Sequence, residues 1–230
     1  MRLFCLPHAG GSAVFYRSWA EQAGPAVEVQ AVQYPGRADR MADAFVTEAH
    51  QLARLIAGAM APLMDRPAAL FGHSMGAVLA YEVARLLEER GTPPVHVFAS
   101  GARPPDDRGD DRIREKDDDG LVAELVGLGG TDAEVLADPE LRELVLPYVR
   151  NDFTLIEEYA HRPGTPLAAP VTAIIGDADP QVDEERARGW ERATRGRFAL
   201  RVLPGGHFYL VDQQPAVLAE VLRTLEVPAA

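Results

Sequence analysis

The sequence has one cysteine, Cys5, in 230 residues. No disulfide can form within the chain, so nothing in it points to an oxidising compartment. Cys5 lies in an apolar stretch and reads as core filler. A basic surplus is also missing. The net charge is −12, which argues against nucleic acid, whose binding needs a basic face, and against an anionic membrane surface. No apolar run approaches the ~20 residues of a membrane span. No basic leader precedes Leu3-Phe4-Cys5-Leu6, so no signal peptide is read and a soluble, cytoplasmic protein is expected. Internal repeats at solenoid periods are absent. No His, Cys and carboxylate cluster has zinc-like spacing, so neither metal nor cofactor is expected. Serine is scarce, with four in the chain. What remains is ordinary globular composition, 47% hydrophobic and 25% charged. The length suits one domain over residues 1–230 with a well-buried core.

One of the four serines stands in a distinctive frame. Ala68-Ala69-Leu70-Phe71 reads as a short buried strand, and Gly72-His73-Ser74-Met75-Gly76 follows it. Met75, Val78, Leu79, Val83, Leu86 and Leu87 then recur at helical spacing. Gly91 closes that helix, with Pro93 and Pro94 beyond. Strand, G-x-S-x-G and helix together make a nucleophile elbow, in which a sharp turn pushes the serine hydroxyl into the open. The residues two before and two after the serine pass too close for side chains, which accounts for Gly72 and Gly76.

Further strands are expected at Leu3 to Leu6, Val27 to Val32, Val95 to Ser100, Val171 to Gly176 and Phe198 to Leu203. Helical patterns separate them, which predicts an α/β fold with a mostly parallel sheet and helices on both faces. Phe15, Tyr16 and Trp19 lie at helical spacing and read as core rather than substrate contacts. From Arg103 the composition changes. A stretch rich in Pro, Asp and Arg runs to Lys116 with no apolar period, and Asp117-Asp118-Asp119 continues it. Three helical stretches follow: one through Leu121 to Leu128, one around Leu141 to Val149, one around Asp152 to Tyr159. Residues 103 to about 165 therefore read as an inserted helical lid, mobile in its first third and lying over the carboxyl ends of the strands.

An α/β-hydrolase needs Ser, then Asp or Glu, then His, in that chain order, each on a loop after a strand. Ser74, Asp177 or Asp179, and His207 meet that requirement. A serine hydroxyl is a weak nucleophile until an imidazole takes its proton and a carboxylate holds that imidazole in the right tautomer. His50, His96 and His161 are not on loops of the right order, and His73, which adjoins the nucleophile on the elbow, must point away from it. The glycine-rich loop Pro7-His8-Ala9-Gly10-Gly11 would supply half of an oxyanion hole and the residue after the nucleophile the other half, which names the Ala9 and Met75 amides. His8 reads as a residue that holds the loop's shape.

The chain resembles the type II thioesterases of polyketide and nonribosomal peptide biosynthesis, over nearly its whole length. The resemblance rests on Leu6-Pro7-His8-Ala9-Gly10-Gly11 with Phe15 and Trp19 behind it, Tyr34-Pro35-Gly36-Arg37, Phe71-Gly72-His73-Ser74-Met75-Gly76, Leu146-Pro147 with Arg150-Asn151-Asp152-Phe153, and Gly205-Gly206-His207-Phe208. It implies the α/β-hydrolase fold and selects Asp179, three residues after Gly176, as the acid. It also implies a transient meeting with an acyl or peptidyl carrier protein; separately, a monomer is expected. The activity implied is hydrolysis of acyl thioesters from the carrier's phosphopantetheine arm, clearing stalled groups. Carrier domains are usually acidic, so local arginines are expected to meet them, and Arg17, Arg37, Arg40, Arg103 and Arg108 lie in or beside loops that could reach the rim. Family members usually carry a further N-terminal stretch, so either the sheet lacks an edge strand here or the start is trimmed. A general carboxylesterase of the same fold, or a catalytically silent binding protein, would share most of these features.

Overall fold

In the computed structural model, which describes residues 1–107, 109, 112–130 and 136–226, all six expected strands form. They are β1 (Arg2–Leu6), β2 (Glu28–Ala31), β3 (Ala68–His73), β4 (His96–Ser100), β5 (Val171–Gly176) and β6 (Phe198–Leu203). They make one sheet in the order β2-β1-β3-β4-β5-β6, with every pair parallel. Parallel strands covered on both faces read as continuous apolar runs, and β1, β3, β4 and β5 are buried at every position.

Alternate residues of those strands feed two cores. Phe4, Leu6, Leu70, Val97 and Ala173 face the elbow helix Met75–Glu89 and the helix Ala49–Met60. Leu3, Cys5, Phe71, Phe98 and Ile174 face Trp19 and the C-terminal helix Gln214–Thr224. Tyr16 and Trp19 are buried in this second core, as expected. Burial of Cys5 raises its thiol pKa. Among the described residues no helix is long and apolar enough to cross a membrane.

Register places the loops. From β1 the chain crosses to β2 on one side and then to β3 on the other, so the loops after β1 and β3 part at a topological switch point, where open α/β sheets place their ligands. Leu6 is level with Gly72, which sets Ala9 beside Ser74, and Gly176 is level with Leu203, which joins the loops after β5 and β6.

The expected lid region holds a helix Asp118–Leu128, capped by the Asp117 carboxylate on the Gly120 amide and ended by Gly129 in the left-handed region. A longer helix in the same region departs from expectation. The sequence pattern predicts two separate stretches, but Pro139–Glu157 is one helix with Pro147 inside it. The polar run Arg150-Asn151-Asp152 resembles a break because it interrupts the apolar period. In fact each of its side chains ties to a different segment. Arg150 donates to the Arg114 and Lys116 carbonyls, Asn151 to the Val46 carbonyl, and Asp152 pairs with Arg37. The stretch before it is not wholly solvated either. Ile113 is buried with Leu121, Leu125, Leu146, Val149 and Phe153 in a small core that leans on Ala9.

Candidate active site

Ser74 sits between β3 and the elbow helix with φ 54 and ψ −121. A left-handed backbone at a non-glycine residue is strained and persists only where its surroundings fix it. Its N–H donates to the Ser100 carbonyl at 2.8 Å and its carbonyl accepts from the Ala77 N–H at 2.9 Å. A Cβ on Gly72 would overlap the Gly76 carbonyl, and one on Gly76 would overlap the Leu6 carbonyl and lie 2.6 Å from that of Pro7. Both glycines are therefore required by close backbone approach.

The loops after β5 and β6 bring Asp179 to His207. The imidazole Nδ1 lies 2.9 Å from Asp179 Oδ2 and 3.1 Å from Oδ1, with both side chains almost wholly buried. Asp179 Oδ1 also accepts from the Gln181 N–H at 2.9 Å. Asp177 does something else: its carboxylate accepts the Gly205 N–H at 2.9 Å and braces the loop. The two aspartates of the motif are thus separated by geometry, one on the imidazole and one on the backbone.

Two further histidines stand close by. His73 is fully buried, 5.0 Å from His207 between ring centroids. Its tautomer follows from a chain of bonds. Tyr209 donates its hydroxyl to the Ile174 carbonyl, so it accepts from Ser100, and Ser100 in turn accepts from His73 Nδ1. Burial, then His207 and His8, push the His73 pKa well below its ordinary value, so the ring is neutral. His8 packs edge-on against Phe15 and Phe208 and over Gly11. Burial, then His207 and Arg37, push its pKa down to about 3. This geometry suits a wall of the loop.

The glycine loop is braced from outside. Its Gly10 N–H donates to Asp152 Oδ2 at 2.8 Å, and its Gly11 carbonyl accepts from Arg37 Nη1 at 3.1 Å. Arg37 and Asp152 join through two bonds, of 2.5 and 2.7 Å, and are nearly sealed from solvent. Arg37 therefore does not reach the rim, contrary to expectation: its guanidinium lies between the Tyr34 and Tyr148 rings, bound to a buried carboxylate. Of the other expected rim arginines, Arg17 is exposed, Arg40 bonds Asp43 and the Gln33 carbonyl, and Arg103 donates to the Gln181 carbonyl. Arg108 lies outside the described residues. Ala9 N–H has no protein acceptor among the described residues. Met75 opens its helix, so its N–H has no partner within it.

Two cavities meet at Ser74. One, of about 100 Å³, runs between the elbow helix and the helix Pro139–Glu157 past Val78, Ile113, Phe153, Ile156 and Tyr159. The other, of about 20 Å³, opens beside His207, Phe208, Leu125 and Leu128. Ala9, Ser74, Phe153 and Gln181 line both.

The Thioesterase domain family matches residues 1–225. The chain belongs to this family. Over 225 residues it is 44% identical to "Probable cadicidin biosynthesis thioesterase" of Streptomyces griseus, covering 98% of this chain and 62% of that one, so it spans somewhat less than two thirds of that relative. The solved structure of RedJ, a thioesterase from the prodiginine pathway of Streptomyces coelicolor, superposes with a TM-score of 0.91 at 38% identity, over 96% of this chain and 89% of that one. BorB, a type II thioesterase from the borrelidin biosynthetic cluster, superposes at 0.90 with 41% identity, over 96% and 91%. The resemblance to type II thioesterases and the α/β-hydrolase fold both stand. In this thioesterase domain, sequence reasoning missed the bracing role of Arg37 and Asp152. The signal was there in Tyr34-Pro35-Gly36-Arg37 and Arg150-Asn151-Asp152-Phe153, two polar motifs in otherwise unexplained places.

Proposed function

We propose that this thioesterase domain hydrolyses acyl thioesters presented on the phosphopantetheine arm of an acyl or peptidyl carrier protein, with Ser74 as nucleophile, His207 as base and Asp179 as its orienting carboxylate. The observation that carries the reading is the buried Asp179–His207 pair, whose imidazole lines one cleft with a strained, cavity-facing Ser74. Asp179 holds the proton on His207 Nδ1 and leaves Nε2 free to accept one. Ser74 Oγ attacks the thioester carbonyl carbon and its proton passes to Nε2. The negative charge on the carbonyl oxygen falls to the Ala9 and Met75 amides, each worth about 3–4 kcal/mol in analogous sites. The C–S bond then breaks and the thiol leaves with the proton from Nε2. A water repeats the sequence on the acyl-enzyme and releases the acid. The space beside His207, about 20 Å³, is room for about one water.

The larger cavity receives the acyl group. At about 100 Å³ it is smaller than the ~150 Å³ apolar cavity that takes a benzene, so acyl groups of a few carbons fit without rearrangement. Removal of such groups from carriers suits an editing role in polyketide or nonribosomal peptide assembly. The test compares one short acyl group on a carrier domain, on a short soluble thiol and on an oxygen ester. kcat/KM on the carrier is expected to exceed that on the free thiol by at least about tenfold, or ~1.4 kcal/mol, with the oxygen ester poorest. Equal rates on the two thioesters would remove carrier recognition, and a preference for the oxygen ester would favour a general carboxylesterase. A fluorophosphonate should add once to the wild type and not to Ser74→Ala. An equal adduct on both would remove Ser74 from its role.

A further inference from the structure

We propose that the buried Arg37–Asp152 pair positions the oxyanion loop for this reaction, and that Asp152, carried by the lid helix, makes lid seating and loop geometry a single equilibrium. The inference rests on the function proposed above. Its argument begins with the backbone of Pro7 to Gly11. The Pro7 carbonyl accepts from the Tyr34 hydroxyl at 2.9 Å, and the His8 carbonyl from the Gly11 N–H at 2.9 Å. The Gly10 N–H goes to Asp152 and the Gly11 carbonyl takes Arg37. Each bond fixes the turn of one peptide plane, and together they bracket Ala9, whose own N–H is left for a ligand. Gly10 has φ +79, which a glycine reaches without steric cost, so these bonds rather than backbone sterics select the conformation.

Of the groups that do this, Asp152 alone comes from the lid. Its Oδ2 takes both the Gly10 N–H and Arg37 Nη1, so one carboxylate oxygen joins loop, guanidinium and lid helix. The helix reinforces the seat on the neighbouring turn, since Val149 Cγ2 lies 3.0 Å from where a Cβ on Gly10 would stand. If the helix lifts, the Gly10 N–H loses its acceptor and a buried Arg37 loses its counter-charge. A lone buried charge is costly, so the pair favours one seated state. Both residues are positioning residues. Neither touches the reacting atoms, and their effect should appear in kcat.

Three proteins test this: wild type, Asp152→Asn, and the double variant Arg37→Met/Asp152→Leu. The double variant removes both charges together, so the stability lost in the single variant is largely regained. For each, thermal midpoint, kcat and KM on a short soluble thioester, and the rate of fluorophosphonate capture are measured. Capture also builds negative charge on an oxygen at the same amides. A misplacement of about 1 Å costs on the order of 100-fold in rate. The expected result is kcat and capture at least about tenfold down in both variants, with KM within about threefold, even where the midpoint of the double variant returns towards wild type. A double variant that regains its midpoint and kcat together would overturn the proposal, as would an effect confined to KM. If the double variant does not fold, Asp152→Asn decides by the same split between kcat and KM. If the wild type captures the fluorophosphonate but hydrolyses no thioester, the proposed function falls. The ratio of capture rates then still decides whether the pair sets the loop.

Discussion

Asp179 and Asp177 lie two residues apart in one loop, and substitution to asparagine should separate them by orders of magnitude. The working runs through Gln181. Asp179 Oδ1 is held by the Gln181 N–H at 2.9 Å, while Oδ2 faces His207 Nδ1 at 2.9 Å. In Asp179→Asn only an oxygen can accept that N–H, so the side-chain amide settles with its oxygen towards Gln181 and its NH₂ towards the imidazole. An NH₂ donates, so Nδ1 must become the acceptor and the ring proton moves to Nε2. The nitrogen that should take the serine proton is then already protonated. Loss of the tautomer in other triads lowers kcat about 10⁴-fold, and a similar loss is expected here with the fold intact. In Asp177→Asn the oxygen can still accept the Gly205 N–H, so less than about tenfold is expected, with about 1 kcal/mol of stability lost. Steady-state kinetics on a soluble thioester, with circular dichroism as a check on folding, make the comparison. Asp179→Asn within tenfold of wild type, or Asp177→Asn as the more damaged variant, would refute the reasoning.

Two further outcomes follow from burial and packing. His96 is buried on Thr172, and burial, then Arg197, push its pKa down to about 4. Below the ordinary imidazole value of 6.5 the unfolded chain takes a proton that the folded chain refuses, so stability present at pH 7 is lost as pH falls from about 6.5 towards 4. His96→Gln should remove up to about 2 kcal/mol of the urea-measured stability lost between pH 6.5 and 5, and an unchanged slope would count against a neutral buried ring. The helix Asp118–Leu128 buries only Leu121 and Leu125, whereas the elbow helix is buried along most of its length. Hydrogen exchange should therefore be faster in the former than across Leu70 to Leu87, and equal protection would argue against a mobile lid.

β1, β3, β4 and β5 were legible because buried parallel strands write themselves as short apolar runs between turn residues, whereas the runs alone left Asp177 and Asp179 undivided and only their different contacts, one on the Gly205 N–H and one on His207, tell them apart. Periodicity failed where polar contacts decide. Arg150-Asn151-Asp152 interrupts an apolar pattern, so it reads as a helix end, yet Pro139–Glu157 continues through it because those side chains find partners off the helix. Arg37 reads as a surface charge for the same reason. Its partner Asp152 is 115 residues away, and an ion pair across that separation leaves no local pattern. Ile113 was missed because a single apolar residue in an acidic stretch has no period to join.

The one carboxylate oxygen shared by Gly10, Arg37 and the helix Pro139–Glu157 bears on how such enzymes could be recombined. Residues 103–165 look like a cassette, bounded by sheet strands on both sides, and grafting a relative's cassette is the obvious route to a new acyl preference. Here the cassette is not self-contained. A donor that brings no acidic side chain in register with Asp152 strands a guanidinium in the recipient's interior, and the graft fails at the loop beside the pocket rather than at the residues it was meant to change. A workable swap takes Tyr34 to Arg37 from the same donor as the cassette, so that both halves of the joint arrive together.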